Sequence, residues 1–219
     1  ATNNYSTAYN DSLGIEKLQK YASLFGLNER TGIEIEEAAP QIANEFPVMA
    51  AIGQSNNNYT TVQLARYVTA VANEGTVYQY TLLNRLEDSD GNVLQTFEPQ
   101  VRNQIDVLDT EEWNAIHSGM RMVVENTKEF DGFPIEAAGK TGTAQQNLKR
   151  PNHALFVGYA PYDDPEISIA TRIAYGYTSH NAAKLARNVF AYYFNVENED
   201  ELLNGQAANG NSSSNEISD

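Results

Sequence analysis

The amino-acid sequence predicts an α+β fold, in which helices come first and a small antiparallel sheet with a covering helix follows. Three amphipathic helical patterns occupy much of residues 14–125, and three strand-like runs lie between residues 135 and 175. The connections between these runs are short, which favours antiparallel neighbours. With 219 residues, the chain is long enough for one sizeable domain or two small ones.

The first two helices are predicted from apolar periodicity and terminal residues. Residues 14–25 end at Gly26, a typical helix stop. Residues 60–73 repeat apolar positions at helical spacing behind the N-cap residue Thr60 and end near Gly75. The apolar face of the first helix comprises Ile15, Leu18, Tyr21, Ala22 and Phe25.

Two further helices are predicted in the second half of the chain. Residues 110–125 form one, because Asp109 and Glu112 have the spacing of a capping box at its start. Residues 180–194, HNAAKLARNVFAYYF, form an amphipathic helix that closes the fold.

The predicted strands comprise one hairpin and one sheet. Residues 82–97, LLNRLEDSDGNVLQTF, contain two strands joined by an Asp-Gly turn. The sheet is built from IEAAGKTGTAQ at 135–145, HALFVGYAP at 153–161 and ISIATRIAY at 167–175. His153 and Tyr159 in the second of these runs are expected to serve strand packing.

The chain divides into a folded portion, residues 1–195, and a tail, residues 196–219. The tail loses aromatic and β-branched residues and fills with Asn, Ser, Gly and acidic residues, which predicts disorder. It carries six acidic residues and no Lys or Arg, so removing it changes the net charge from −15 to −9. The remaining acidity is interpreted as a solvated surface.

Composition excludes several functional classes. The net charge of −15 argues against a nucleic-acid partner, whose phosphates this surface would repel. Cysteine is absent, which excludes disulfides, thiolate metal sites and cysteine nucleophiles. His117, His153 and His180 lie far apart in sequence without metal-binding spacing, so neither a metal site nor a cofactor is predicted.

Targeting signals are also absent from the sequence. No apolar run approaches the roughly 20 residues of a membrane-spanning helix, and the N-terminus lacks the pattern of a signal peptide. We therefore expect either a cytosolic protein or a piece whose targeting segment lies elsewhere.

The segment AAGKTGTAQ at 137–145 resembles a nucleotide-binding loop at first sight. That loop, G-x-x-x-x-G-K-[ST], needs a glycine five residues before Gly139, but Pro134 occupies this position. Proline has no N–H to offer a phosphate, and TGTAQ continues as strand-like sequence rather than as a helix. The interpretation of Lys140 as a phosphate-binding residue is therefore rejected.

Two interpretations of Lys140-Thr141-Gly142-Thr143 stay open on residue chemistry alone. A glycine between two hydroxyl residues on a strand allows an anionic, peptide-like ligand to approach the backbone, with the lysine supplying positive charge. A lone K-T-G is nevertheless most often part of an ordinary exposed strand.

Further segments resemble the transpeptidase domain of penicillin-binding proteins. GKTGTAQ, HALFVGYAP and the closing helix resemble the end of that domain, and AIGQSNNNYTTVQLARYVTAVANEGTVY resembles its Gly-Gln segment before a helix. The DSDGNVL hairpin and the helix ending in GMRMVVEN resemble the elements that follow in order. The likeness covers most of residues 13–195, and K-T-G is one of three signatures of this superfamily. The Ala-Gln pair after KTGT favours the monofunctional class B.

The resemblance implies a site at the K-T-G strand. Lys140 would belong to the proton-shuttling network, and Thr141 and Thr143 would bind the terminal carboxylate of the substrate. Gly142 would complete the substrate-binding signature, and the backbone N–H of Thr143 would form half of the oxyanion hole.

The other two signatures are not found. None of the six lysines, at 17, 20, 128, 140, 149 and 184, has a serine three residues before it, so the chain contains no S-x-x-K nucleophile. Ser55-Asn56-Asn57 has the letters of S-x-N, but it follows the helix that S-x-N precedes in the family, so Ser55 is interpreted as a loop residue. It also fails G-x-S-x-G, because Asn57 replaces the second glycine.

We therefore expect the C-terminal part of a transpeptidase domain, with about three of the five strands of the β-lactamase-like sheet. The parent would cross-link D-Ala-D-Ala stem peptides through an acyl-serine, bind β-lactams and work in a cell-wall synthesis complex. It would lie on the extracytoplasmic face of the membrane, anchored by an N-terminal segment. This chain alone should be inactive, and a second copy or another fragment should cover the exposed edge of its sheet. The alternatives are a non-catalytic sensor of β-lactams or wall peptides, and a D,D-carboxypeptidase or β-lactamase relative.

Overall fold

The computed structural model describes residues 14–197, and the predicted tail lies outside this range apart from its first two residues. The helices are α1 (Ile15–Leu24), α2 (Pro47–Ala50), α3 (Thr61–Ala72), α4 (Thr110–Glu125) and α5 (Ser179–Tyr193), with a 3-10 turn at Lys128–Phe130. The strands are β1 (Thr76–Gln79), β2 (Arg85–Glu87), β3 (Val93–Thr96), β4 (Gln100–Gln104), β5 (Ala138–Ala144), β6 (His153–Ala160) and β7 (Ile167–Ile173).

The four helices predicted from periodicity are confirmed, because local capping chemistry specifies where each begins or ends. Helix α3 begins with a reciprocal capping box between Thr60 and Gln63, and α4 with one between Asp109 and Glu112. Helix α1 ends at Gly26, whose φ of 75° suits glycine. The next N–H, from Leu27, donates to the Ala22 carbonyl at 3.0 Å and completes the helix stop.

The apolar face of α1 is less buried than a core helix would be. None of its residues is buried, and Leu18 and Tyr21 keep 38% and 39% of their surface exposed. Its contacts instead involve Leu24 and Phe25 at its C-terminal end, which pack on a small cluster around Trp113.

The central sheet has the order β5-β6-β7 and is antiparallel throughout, as predicted. Side chains alternate between its two faces. Phe156 packs under α5, in a cluster that includes Ala186 and Phe190. Tyr159, on the other face, packs with Val68 of α3 and Ala138. This is the strand packing predicted for Tyr159.

Strands β1 and β4 form a two-stranded sheet that the sequence did not predict. Strand β4, QVRNQ, contains one apolar residue, so its sequence lacks the alternation of apolar and polar residues that indicates a strand. All five of its residues are exposed. The predicted hairpin, β2 with β3, is confirmed between them, and every residue in both of its strands is exposed.

Strand β7 pairs only with β6 among the described residues. Within residues 14–197 no other strand pairs with its outer edge, and an edge of this kind favours pairing with another strand. That a second copy or another fragment covers this edge stays a prediction.

A buried arginine joins the end of α1 to α3. Arg66 is 1% exposed and donates to three backbone carbonyls, those of Gly26, Glu29 and Arg30. A Cβ on Gly26 would lie 2.6 Å from the Arg66 guanidinium, so the position of this arginine leaves no room for a side chain at residue 26. Burial lowers the pKa of Arg66, while the charges of Glu29 and Glu37 oppose that shift.

Replacing Arg66 by methionine should destabilise the chain by about 2–4 kcal/mol, because buried carbonyls would lose their donors. Urea unfolding checks this expectation. Arg85→Met is the matched control, since Arg85 is exposed and pairs with Glu87 on the hairpin, and its expected cost is below about 0.5 kcal/mol. Equal effects of the two variants would contradict the role assigned to Arg66.

Candidate active site

Strand β5 places the KTGT segment at the edge of the central sheet, and its first glycine is required for packing. A Cβ on Gly139 would lie 2.7 Å from the Val157 carbonyl oxygen and would collide with the ring of Phe156. Phe156 is fully buried beneath α5, so it cannot yield that space without disturbing the core. Gly139 therefore belongs to the core of the fold.

The second glycine of the segment has a different environment. A Cβ on Gly142 would meet only Leu155 Cβ, at an ordinary contact distance of 3.4 Å. Its φ lies outside the positive range that favours glycine. Among the described residues, packing and backbone conformation therefore give no reason for glycine here. A bare backbone that another molecule can approach closely is the remaining physical reason.

Lys140 is exposed between these two glycines. Its Nζ donates to the Thr141 carbonyl at 3.0 Å, which holds the ammonium along the strand. In the sheet register Lys140 lies opposite Val157 and Gly142 opposite Leu155, so both face the side of the sheet that carries α3 and α4. A cation beside an open backbone suits an anionic ligand.

The backbone of Thr143 points away from the sheet. Its carbonyl accepts a hydrogen bond from Gln54 Nε2 at 3.4 Å, across 89 residues of sequence. In an antiparallel strand the N–H and C=O of one residue lie on the same side. The N–H of Thr143 is therefore directed to the open edge as well, where it is available as a donor.

Gln54 was not among the predicted site residues. The available signal was its Gly-Gln pair, which the sequence shares with the family, but the pair says nothing about a contact with β5. Asn57 steadies the segment, because its Nδ2 donates to the Gln54 carbonyl at 2.9 Å and its Oδ1 accepts from Ala43 N–H and from Tyr59 Oη, both at 2.8 Å. Burial raises the pKa of the Tyr59 phenol to about 12, so this hydroxyl stays a donor.

Ser55 lies in the loop next to Gln54, with a positive φ of 73°. Its Oγ donates to the Glu45 carbonyl at 2.5 Å. The hydroxyl thus serves loop geometry in this structure. This position agrees with the interpretation of Ser55 as a loop residue.

The entry of β5 is attached to α4 through Arg121. Its Nη1 donates to the Ala137 carbonyl at 3.2 Å, and its Nη2 lies 3.4 Å from the Glu136 carboxylate. This attachment sets the position of the strand just before Gly139. Glu136 itself remains 64% exposed.

Residues 14–197 contain neither a candidate metal site nor a membrane-spanning helix. This part of the chain has no group of three or more His, Asp or Glu residues that could hold a metal ion. It also has no helix long and apolar enough to cross a bilayer.

The structure defines an α+β protein whose edge strand carries an exposed lysine beside an open backbone. Comparison with known proteins specifies the family. A family model described as the penicillin binding protein transpeptidase domain matches residues 2–191. The peptidoglycan D,D-transpeptidase MrdA of Haemophilus influenzae is 33% identical over 87% of this chain and 34% of its own length.

Solved structures agree with this match. Penicillin-binding protein 2B of Streptococcus pneumoniae superposes with a TM-score of 0.74 at 25% identity, over 87% of this chain and 34% of that one. A chain from a peptidoglycan synthase complex, described as coordinating polymerization and crosslinking, has a TM-score of 0.74 and 25% identity over 90% of this chain and 36% of its own.

This chain belongs to the transpeptidase domain family of the penicillin-binding proteins, and the relatives that it matches are of class B. The resemblance found from the motifs is thereby confirmed. The chain spans about a third of the length of the curated relatives it matches.

Proposed function

We propose that this chain supplies the substrate-binding strand of a peptidoglycan D,D-transpeptidase that works through an acyl-serine. The observation that carries the proposal is the open edge of β5, where Lys140 and the outward N–H of Thr143 flank the unfilled space over Gly142. Family membership and the D,D-transpeptidase among the relatives support it.

The resemblance to the family implies a role for each of the four residues from Lys140 to Thr143, and their positions on the strand are consistent with these roles. The exposed ammonium of Lys140 attracts the carboxylate end of the stem peptide and takes part in the proton network around the nucleophile. The hydroxyls of Thr141 and Thr143 hydrogen-bond that carboxylate. The N–H of Thr143 donates to the oxygen of the tetrahedral intermediate, where charge develops. Gly142 leaves room for the peptide backbone.

The proposed reaction proceeds in two acyl transfers. The serine Oγ attacks the carbonyl of the D-Ala-D-Ala peptide bond, the C–N bond breaks, and D-alanine leaves with the proton that the serine gave up. The amine of a neighbouring stem peptide then attacks the acyl-serine ester, loses a proton and releases the serine. A β-lactam acylates the same serine through opening of its ring, which retains the leaving amine.

The nucleophilic serine is proposed to come from sequence outside this chain. No S-x-x-K occurs within the 219 residues, and the chain spans about a third of its relatives. By "full-length parent" we mean the longer protein of which, on this proposal, the chain is a part. Strands from the rest of the parent, or from a second copy, would pair with the free edge of β7.

Location and partners follow from the same proposal. A parent that acts on wall peptides would lie on the extracytoplasmic face of the membrane, held by an N-terminal anchor. A matched structural relative comes from a peptidoglycan synthase complex, which supports membership of the parent in a wall-synthesis complex.

Labelling with a fluorescent penicillin tests the proposed function. The full-length parent should become covalently labelled, and the isolated chain should not. Replacing the serine of an S-x-x-K in the parent should remove the label. Absence of labelling in a folded parent would defeat the proposal, and rapid release of the hydrolysed drug would indicate a β-lactamase instead.

A further inference from the structure

His153 occupies a buried position at the far end of the site strand. It is the first residue of β6, it is 6% exposed, and it pairs in register with Ala144, the last residue of β5. Its ring joins two segments that no strand pairing connects. One is the segment that leaves β5, reached through Gln146, and the other is the turn from β7 to α5, reached through Tyr175.

The contacts of the His153 ring specify its protonation. The backbone N–H of Tyr175 donates to Nδ1 at 3.1 Å, and a backbone N–H can only donate. Nδ1 therefore carries no proton. Nε2 then carries the proton of the neutral ring and donates to Gln146 Oε1 at 2.8 Å. Only this neutral form makes both bonds.

The turn on the other side of the ring is conformationally restricted. Tyr175 and Tyr177 both have positive φ, at 56° and 66°, which is uncommon for aromatic residues. The Tyr175 ring lies 4.9 Å from the His153 ring, and the Tyr177 N–H donates to the Asn152 carbonyl at 3.1 Å. His153 thus helps to hold this turn against the start of β6.

The charged groups that face the ring are cationic. Arg172 Nη2, from β7, lies 3.3 Å from Nε2 and 3.4 Å from Nδ1. Arg150, from the loop before β6, donates to the Tyr175 hydroxyl at 2.7 Å and lies 5.2 Å from the centre of that ring. The ring's hydrogen-bond partners among the described residues include no carboxylate. Burial and the charge of Arg172 lower the pKa of His153 below 6.5.

We propose that His153 is a positioning residue for the acylation reaction: in its neutral form it links the segment after the KTGT strand to the β7–α5 turn, and protonation breaks this link at the turn. This inference rests on the proposed function. A proton on Nδ1 would face the Tyr175 N–H, so the protonated ring must give up that bond. The segment that leaves β5 after Ala144 keeps its bond to the ring through Gln146, but it is then no longer linked to the β7–α5 turn.

The sign of the pH effect follows from the lowered pKa. Since the unfolded chain binds this proton more readily than the folded one, the stabilising contribution of His153 is complete above pH 6.5 and is lost as the pH falls through the folded-state pKa. Acylation should decline over the same range.

The test compares the acylation rate of the full-length parent with a fluorescent penicillin between pH 5 and pH 8. His153→Asn retains an acceptor for the Tyr175 N–H but does not titrate. The ratio of its rate to that of the wild type should be flat above about pH 7 and should rise several-fold towards pH 5. His180→Asn is the matched control, since His180 is exposed and pairs with Glu129, and its ratio should stay constant.

A second variant keeps His153 in place, in case His153→Asn does not fold. Arg172→Gln removes the neighbouring cation, which raises the pKa of His153, so the acid decline in rate should begin at a higher pH. Arg85→Gln should not shift the decline. Nitrogen NMR of the ring should show the Nε2–H tautomer.

Some outcomes would overturn the inference. The first is an Nδ1–H tautomer in the NMR spectrum. The second is a His153→Asn variant whose acylation rate declines at acid pH as in the wild type. The third is an Arg172→Gln variant in which the acid decline begins at the same pH as in the wild type. A wild-type parent that takes no label at any pH would instead overturn the proposed function, so the two failures are distinguishable.

Discussion

Replacing Lys140 by methionine in the full-length parent should reduce the rate of acylation by a fluorescent penicillin roughly 10²- to 10⁴-fold. The reason is that the exposed ammonium, held along β5 by its bond to the Thr141 carbonyl, is the cation that the site strand offers to an anionic ligand. Methionine keeps the length of the side chain but removes the charge. The melting temperature should change little, because Lys140 is exposed.

The matched control for Lys140 is Lys149→Met, in the exposed loop between β5 and β6. Lys149 has the same charge and similar exposure but lies outside the strand. Its substitution should leave acylation within about twofold of wild type, since it removes only a screened surface charge. Equal losses in both variants would mean that net charge matters, and the specific role of Lys140 would be lost.

The two glycines of β5 should respond to alanine in opposite ways. Gly139→Ala should lower the free energy of unfolding by about 1–3 kcal/mol, because the methyl group would collide with Phe156 and the Val157 carbonyl. Gly142→Ala should leave stability unchanged or raise it by up to about 1 kcal/mol, because its space is open and alanine suits a strand better.

The acylation rate should reveal a cost of Gly142→Ala that its stability does not. Gly142→Ala should lower the rate at least tenfold in a fully folded parent, because its methyl group would occupy the space proposed for the substrate backbone. The measurement pairs thermal melting with fluorescent penicillin labelling on each variant. A Gly142→Ala parent that is stable and labels at the wild-type rate would refute the open-backbone explanation of this glycine.

Elements with a local signal were predictable from the sequence. The capping boxes at Thr60 and Asp109 specify the starts of α3 and α4, and Gly26 specifies the end of α1, because each signal is complete within a few adjacent residues. The strands of the central sheet were predictable as well, since their apolar runs are bounded by short connections.

Elements that depend on distant partners were not predictable. Strand β4 is exposed and has no apolar alternation, so only its pairing with β1 makes it a strand. Arg66 shows no sign in the sequence of being the buried partner of three carbonyls, because those carbonyls lie about 40 residues away. Residue type alone would place an arginine on the surface.

The candidate site divides along the same line. The K-T-G-T motif identified the candidate site residues Lys140, Thr141, Gly142 and Thr143, because they are consecutive in the sequence. Together with the neighbouring segments, the motif also identified the transpeptidase family. Their catalytic and binding roles remain proposals. The sequence did not identify Gln54 as a partner of Thr143, and it assigned His153 to strand packing alone.

The sequence by itself determined the four longer helices, the central strands and the segment that carries the site, since these depend on contacts between near neighbours in the chain. The short helix α2 was not predicted. Only the tertiary structure decided which way the Thr143 backbone faces, why Gly139 and Gly142 differ, and which ring nitrogen of His153 accepts the Tyr175 N–H. Each of these depends on atoms that folding brings together from distant residues. A hydrogen bond or a steric contact acts over a few ångströms of space, whatever the separation along the chain.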